Sequence, residues 1–274
     1  MTVDSTDGVQ LAVHDLGGSG PTLVIAHATG FHGRCYLPLA HSLAERFHSV
    51  AFDFRGHGDT AKPHGQHIGW HHYGDDAQAM ARSLPGPVAA FGHSMGGACL
   101  LMAAHRDPAR FSSLVLFEPI VFPSEGIRPA DEPSHMVQAA RRRRASFASY
   151  QAAIDNYAAK PPLNAFTPEA LEAYVRFGFS EDPNGHVHLK CHPDTEARTF
   201  EMGGHHCTWE LLSDIQVPVL VIAGRVMQFQ PAAVSERIAE QLPNGRYLQV
   251  DELDHFGPMT HPDQVADIIA SAAR

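Results

Sequence analysis

Cysteine is scarce in this chain, and positive charge is in deficit. Its 274 residues hold four cysteines, Cys35, Cys99, Cys191 and Cys207, with no C-x-x-C pair among them. So thin a supply excludes a disulfide scaffold or zinc ribbon and fits thiols kept reduced, as in a cytoplasm. Cys191 and Cys207 share a region but are read as free thiols. Lys plus Arg number 20 against 30 Asp plus Glu, a formal charge of −10, which speaks against a nucleic-acid partner. No apolar run approaches the ~20 residues needed to span a bilayer. The opening MTVDSTDGVQ carries Asp4 and Asp7 where a secretory leader needs an apolar core, so no such leader is expected. Internal repeats and low-complexity linkers are lacking too.

Apolar residues are plentiful. They make up 44% against 18% charged, which excludes disorder and predicts a compact protein with a substantial core. Thr22–Ala28, His48–Phe54, Pro87–His93, Ser112–Glu118 and Val217–Gly224 are short, continuously apolar runs, as expected of parallel strands covered on both faces. Arg246–Leu253 reads as a last strand and the more polar Val9–Leu16 as an edge strand. Helical patterns alternate with them at Tyr36–Phe47, Tyr73–Leu84, Met95–Arg106, Ala232–Leu242 and Pro262–Ala273. Pro231 and Pro262 sit at helix starts, where a missing N–H costs nothing. The alternation predicts an α/β fold with a doubly wound, mostly parallel sheet. From Pro119 to about Ser213 the rhythm stops: helical segments and proline breaks appear, without a core strand. So long a block predicts a helical cap (119–213) inserted after the strand ending at Glu118, over a core of 1–118 and 214–274.

The strongest chemical signal is Gly92-His93-Ser94-Met95-Gly96, which follows an apolar strand and opens an apolar helix. A serine on so sharp a turn presents its hydroxyl above the sheet. Side chains two residues before and after it would strike neighbouring backbone, hence Gly92 and Gly96; Gly97 lets the helix approach the sheet. The helix N-terminus favours the negative charge that develops in acyl transfer.

Three further segments accompany the serine in order: His27-Ala28-Thr29-Gly30, Asp53-Phe54-Arg55-Gly56-His57-Gly58 and, near the end, Asp254-His255-Phe256-Gly257-Pro258. Together they resemble the α/β-hydrolase family of the serine-nucleophile, capped type, from about Val9 to the C-terminus. The resemblance implies Ser94 as nucleophile and His255, just after the last strand, as its general base. It also implies an oxyanion hole made by the backbone N–H groups of Thr29 and Met95. Ala28 departs from the family's usual glycine, and no proline follows. Many relatives carry the triad acid after the penultimate strand, yet Arg225–Pro231 contains no carboxylate. Glu118, ending an apolar run where some branches of the family place their acid, is the preferred third member. Asp251, Asp254 and a Ser–His dyad remain alternatives.

Weaker signals are read plainly. His64, His67, His71 and His72, and His186, His188, His192, His205 and His206, lack any metal-binding framework and are taken as solvated; no metal and no cofactor are expected. Arg141–Arg144 reads as a solvated face. Phe31, Trp209 and Phe256 are candidate pocket residues, with core packing an equal reading of each. The expected activity is hydrolysis of a small or medium carboxylic ester or lactone through an acyl-enzyme, in the cytoplasm. The partner is a small-molecule substrate, neither nucleic acid nor membrane, and the chain a monomer or homodimer. Alternatives are a C–C bond or amide hydrolase of the same fold, or a catalytically impaired ligand-binding relative.

Overall fold

A computed structural model of the chain describes residues 1–62, 68–123, 134–203, 205–227 and 230–273. Eight strands form one sheet: β1 (Thr2–Asp4), β2 (Gln10–Gly18), β3 (Thr22–Ala26), β4 (His48–Phe52), β5 (Val88–His93), β6 (Phe111–Phe117), β10 (Val219–Ala223) and β11 (Gly245–Gln249). Their order is β1-β2-β4-β3-β5-β6-β10-β11. The six from β4 to β11 run parallel, while β2 is antiparallel to β4 and β1 to β2. The edge is therefore β1 and not Val9–Leu16: three residues at the very N-terminus pair with Gln10–Ala12 and cover it.

The central strands β4, β3, β5, β6 and β10 are buried on both faces, their alternate side chains pointing opposite ways into two layers of helices. Leu23 and Ile25 of β3 join a cluster with Leu39 and Leu43 of α1 (Leu37–Leu43) and Val265 and Ile269 of α11 (Pro262–Ala272). Val24 and Ala26 join a second cluster with Tyr73 and Met80 of α2 (Trp70–Ser83) and Leu101 of α3 (Met95–Arg106). Each large aliphatic side chain so buried contributes roughly 1.5–3 kcal/mol.

Between β6 and β10 the chain folds into α4 (His135–Arg141), α5 (Tyr150–Ala158), α6 (Pro168–Gly178), α7 (Pro193–Glu201) and α8 (Thr208–Leu211). The expectation of a purely helical insertion needs correction. Three short strands, β7 (Ser146–Phe147), β8 (Phe179–Glu181) and β9 (Val187–Leu189), form a separate antiparallel sheet in the order β7-β9-β8. Among the described residues none of them pairs with the eight-stranded sheet. All four cysteines are free thiols, Cys207 alone exposed. Among the described residues no helix is long and apolar enough to cross a membrane.

Candidate active site

The residues just beyond the ends of the parallel strands build the site. After β5 comes Ser94, at φ 56° and ψ −113°, a strained conformation for a non-glycine residue. Its N–H donates to Phe117 O at 2.9 Å, and its own carbonyl accepts from Ile120 N–H at 3.2 Å. The glycines around it are required by space. A Cβ on Gly96 would lie 2.1 Å from Ala26 O, and one on Gly92 2.7 Å from Gly97 Cα. α3 thus begins directly at the Ser94 turn and presses against the end of β3.

Glu118 follows β6, the neighbour of β5 in the sheet, with His93 in register with Phe117. It too has a positive φ, 44°, and is 1% exposed. Gly224 N–H, just beyond β10, donates to Glu118 Oε1 at 2.9 Å. His255 Nδ1–H donates to Glu118 Oε2 at 2.6 Å, and Ser94 Oγ–H donates to His255 Nε2 at 3.2 Å. Glu118 accepts the Nδ1 proton, so Nε2 is the ring nitrogen that faces the hydroxyl. Asp254 and Asp251, the alternative acids, are engaged elsewhere: Asp254 accepts from Phe256 N–H at 2.8 Å and Asp251 from the Gln249 amide at 2.5 Å.

The loop after β3 is held by its own backbone. Ala28 O accepts from His27 Nδ1–H at 2.8 Å and from Phe31 N–H at 3.1 Å. A trans peptide points its N–H opposite its carbonyl, so these two bonds aim Thr29 N–H away from His27 and Phe31. Among the described residues neither Thr29 N–H nor Met95 N–H donates an intramolecular hydrogen bond, which leaves both donors available. Burial pushes His27 down to about 3, so its ring stays neutral and its Nε2 accepts from Phe54 N–H at 3.0 Å.

Aromatic rings cover this ground. Phe31 stands edge-on to Tyr174 at 5.2 Å between centroids, 6.1 Å from Phe166 and 6.3 Å from Phe256, and Phe256 lies 5.6 Å from the His255 ring. Phe166 and Tyr174, from the insertion, were not legible as site residues. Trp209 is not among these rings. It packs with the cluster on the opposite face of the sheet, beneath the Arg237 guanidinium 5.1 Å away, and its candidacy as a pocket residue is withdrawn. A cleft of about 340 Å³, lined by Trp70, Met102, Arg106, Met202 and His206 among others, includes none of Ser94, Glu118 or His255.

Of the weaker signals, the arginine block is only partly a solvated face. Arg143 is largely buried, 2.7 Å from Glu196, with its guanidinium over Tyr157 and Tyr174. Its partner lies 53 positions away in sequence, so nothing local announces the burial. His64 and His67 lie outside the described residues. His72 accepts from Gly69 N–H, His188 pairs with Asp182, His192 caps α7, and His206 bridges Thr208 and Ile120 O. Among the described residues one set of metal-type donors converges, His14, Asp53 and Asp59. Its centre is already engaged, Asp53 accepting from His14, Gly33 N–H and Asp59 N–H while Asp59 meets Lys190.

The model of the Alpha/beta hydrolase family matches residues 23–268. Lipase LipV of Mycobacterium tuberculosis is 29% identical over 96% of this chain and 97% of its own length. A pimeloyl-[acyl-carrier protein] methyl ester esterase of Aromatoleum aromaticum is 24% identical over 93% and 98%. The crystal structure of E-2-(acetamidomethylene)succinate hydrolase superposes with a TM-score of 0.78 at 23% identity, covering 99% of this chain and 97% of that one. This chain belongs to the alpha/beta hydrolase family and is a hydrolytic enzyme of that type.

Proposed function

We propose that the enzyme cleaves a small or medium carboxylic ester or lactone through an acyl-enzyme, with Ser94 as nucleophile, His255 as general base and Glu118 as the acid that orients it. One observation carries the reading: the continuous contact Ser94 Oγ–His255 Nε2, His255 Nδ1–Glu118 Oε2. In acylation Ser94 Oγ bonds to the acyl carbon while its proton passes to His255 Nε2. Glu118 faces the imidazolium that results, and the N–H groups of Thr29 and Met95 hold the oxyanion. Collapse breaks the carbonyl–alkoxy bond, and the proton goes to the leaving alcohol. Water then attacks the acyl-enzyme by the same route and regenerates Ser94. This chemistry uses side chains and backbone alone and calls for no cofactor or metal.

Residues 119–213 serve in this reading as a cap over the core of 1–118 and 214–274, and they govern substrate choice through Phe166 and Tyr174. The partner is a small molecule, neither nucleic acid nor membrane; the enzyme works in the cytoplasm as a monomer or homodimer. Ester cleavage is favoured over C–C bond or amide cleavage by relatives that match along nearly their whole length, among them a lipase and methyl ester esterases. Labelling with a fluorophosphonate, together with a panel of acyl esters, lactones and amides, tests the reading. Wild type should label and turn over an ester or lactone, and Ser94→Ala should retain its fold with less than about a hundredth of the activity. An unlabelled wild type, or an active Ser94→Ala, refutes it.

A further inference from the structure

A buried hydrogen-bonded chain runs between the oxyanion loop and the base loop. Ala28 N–H donates to Tyr36 Oη at 3.1 Å. Tyr36 Oη lies 2.8 Å from His93 Nδ1, and His93 Nε2 lies 2.8 Å from the carbonyl oxygen of His255. Tyr36 and His93 are both fully buried.

The direction of every bond is forced. A carbonyl only accepts, so His93 Nε2 carries the proton given to His255 O. Burial, reinforced by the nearby His255, holds the His93 imidazole well below its ordinary range, so it is neutral and Nδ1 is a bare acceptor. Tyr36 therefore donates its hydroxyl proton to Nδ1 and accepts from Ala28. The reverse arrangement would give Tyr36 Oη two donors and leave its own proton without an acceptor among the described residues.

We infer that Tyr36 and His93 are positioning residues that fix the oxyanion loop and the His255 loop relative to Ser94. Two loops and the end of β5 meet at these hydrogen bonds. Ala28 precedes the Thr29 N–H, His93 precedes Ser94, and the carbonyl of His255 belongs to the base itself. Each bond thus orients a reacting group through the residue beside it. The serine reading explains Gly92 and Gly96 but gives the residue between Gly92 and Ser94 no task; a two-sided imidazole supplies one. Phenylalanine in place of Tyr36 would fill the same space and break the chain in the middle.

The inference rests on the serine-hydrolase reading, and the test separates the two. Wild type, Tyr36→Phe, His93→Gln and His93→Leu are compared for fluorophosphonate labelling rate, kcat and KM on one ester, and melting temperature. Tyr36→Phe should lower kcat and the labelling rate about 10- to 100-fold with KM within about twofold, since slight misplacement acts on the transition state more than on binding. His93→Gln, whose amide N–H can reach the His255 carbonyl, should outperform His93→Leu at equal folded fraction. Undiminished labelling in Tyr36→Phe overturns the inference. So does a loss that tracks the melting temperature alone, or a rise in KM at constant kcat. Should Tyr36→Phe fail to fold, the Gln and Leu variants decide by their order. An unlabelled wild type refutes the serine reading instead, and this inference with it.

Discussion

The backbone N–H of Gly224 donates to Oε1 of Glu118 at 2.9 Å, which commits that oxygen and leaves Oε2 for His255. A Glu118→Gln variant has little freedom in response. Its amide oxygen must face Gly224 N–H, because the NH₂ group would set donor against donor. The NH₂ then points at His255 Nδ1 and forces the proton to Nε2, where it cannot accept from Ser94. We expect turnover to fall about 10³- to 10⁴-fold with substrate binding and circular dichroism unchanged. A Glu118→Gln enzyme within tenfold of wild type would remove Glu118 from the triad.

Gly96 has no room for a methyl group, since a Cβ there meets the carbonyl of Ala26 at 2.1 Å. Backbone cannot step aside as a flexible side chain does. Gly96→Ala should lose about 3 kcal/mol in urea unfolding, or fail to accumulate as soluble protein. Whatever folds should label more slowly, because the displaced strand end leads into the Thr29 loop. A Gly96→Ala protein as stable as wild type would contradict the close contact.

Acid should unfold this protein early. Burial lowers His27 to about 3 and His32, His57 and His206 to about 4, and His93 falls well below its ordinary range. All are neutral in the folded state, whereas unfolded histidines take up protons near pH 6.5. The unfolded state therefore binds more protons below that pH. Stability is fully present above about 6.5 and drains away as pH falls towards about 4, by on the order of 1.4 kcal/mol per histidine per pH unit. Melting temperatures at pH 7.5, 6 and 5 measure this; a flat profile would show that these rings are not held neutral.

Arg55 is a structural cation within the Asp53–Gly58 segment. Its Nη2 lies 2.7 Å from Asp76 Oδ1 and its Nη1 3.1 Å from Asp7, with Arg55 and Asp76 both buried. Arg55→Met should cost about 3–5 kcal/mol, because Asp76 is left as a buried charge without its partner. The double variant Arg55→Met with Asp76→Leu should recover part of that loss, and a strictly additive double variant would show the pair to be uncoupled.

Much of this was legible in the residues, and for definite reasons. Val217–Gly224 announces a strand because both its faces are buried, leaving no polar residue to blur the run. Ser94 stands out because its turn demands glycines at fixed offsets, and Glu118 because a carboxylate ending an apolar run needs a partner. Other features leave no local trace. Ser146–Phe147 is too short a strand to show a period. Tyr174 and Phe166 look like any helix or turn packing residue, since only tertiary contact brings them to Phe31. Arg143 sits in a run of four arginines, and its burial depends on Glu196 of α7. Trp209 carried two equal readings, pocket and core, because an aromatic near the end of the insertion bears no mark of which face of the sheet it will join; it packs against the core.

Placing Glu118 after β6 has an architectural result. Ser94 and Glu118 stand just beyond the ends of two adjacent strands whose register, His93 against Phe117, is set by sheet hydrogen bonds. Their spacing is inherited from the ladder, so it survives changes in loop length. The segment after β10 meets this pair through Gly224 N–H, and the next N–H, that of Arg225, is tied at 2.7 Å to Leu253 O. In the proposed reading the sequence Arg225–Pro231, which holds no carboxylate, supplies no member of the triad, and this makes it a natural place for insertions and deletions that retune the enzyme without disturbing its chemistry.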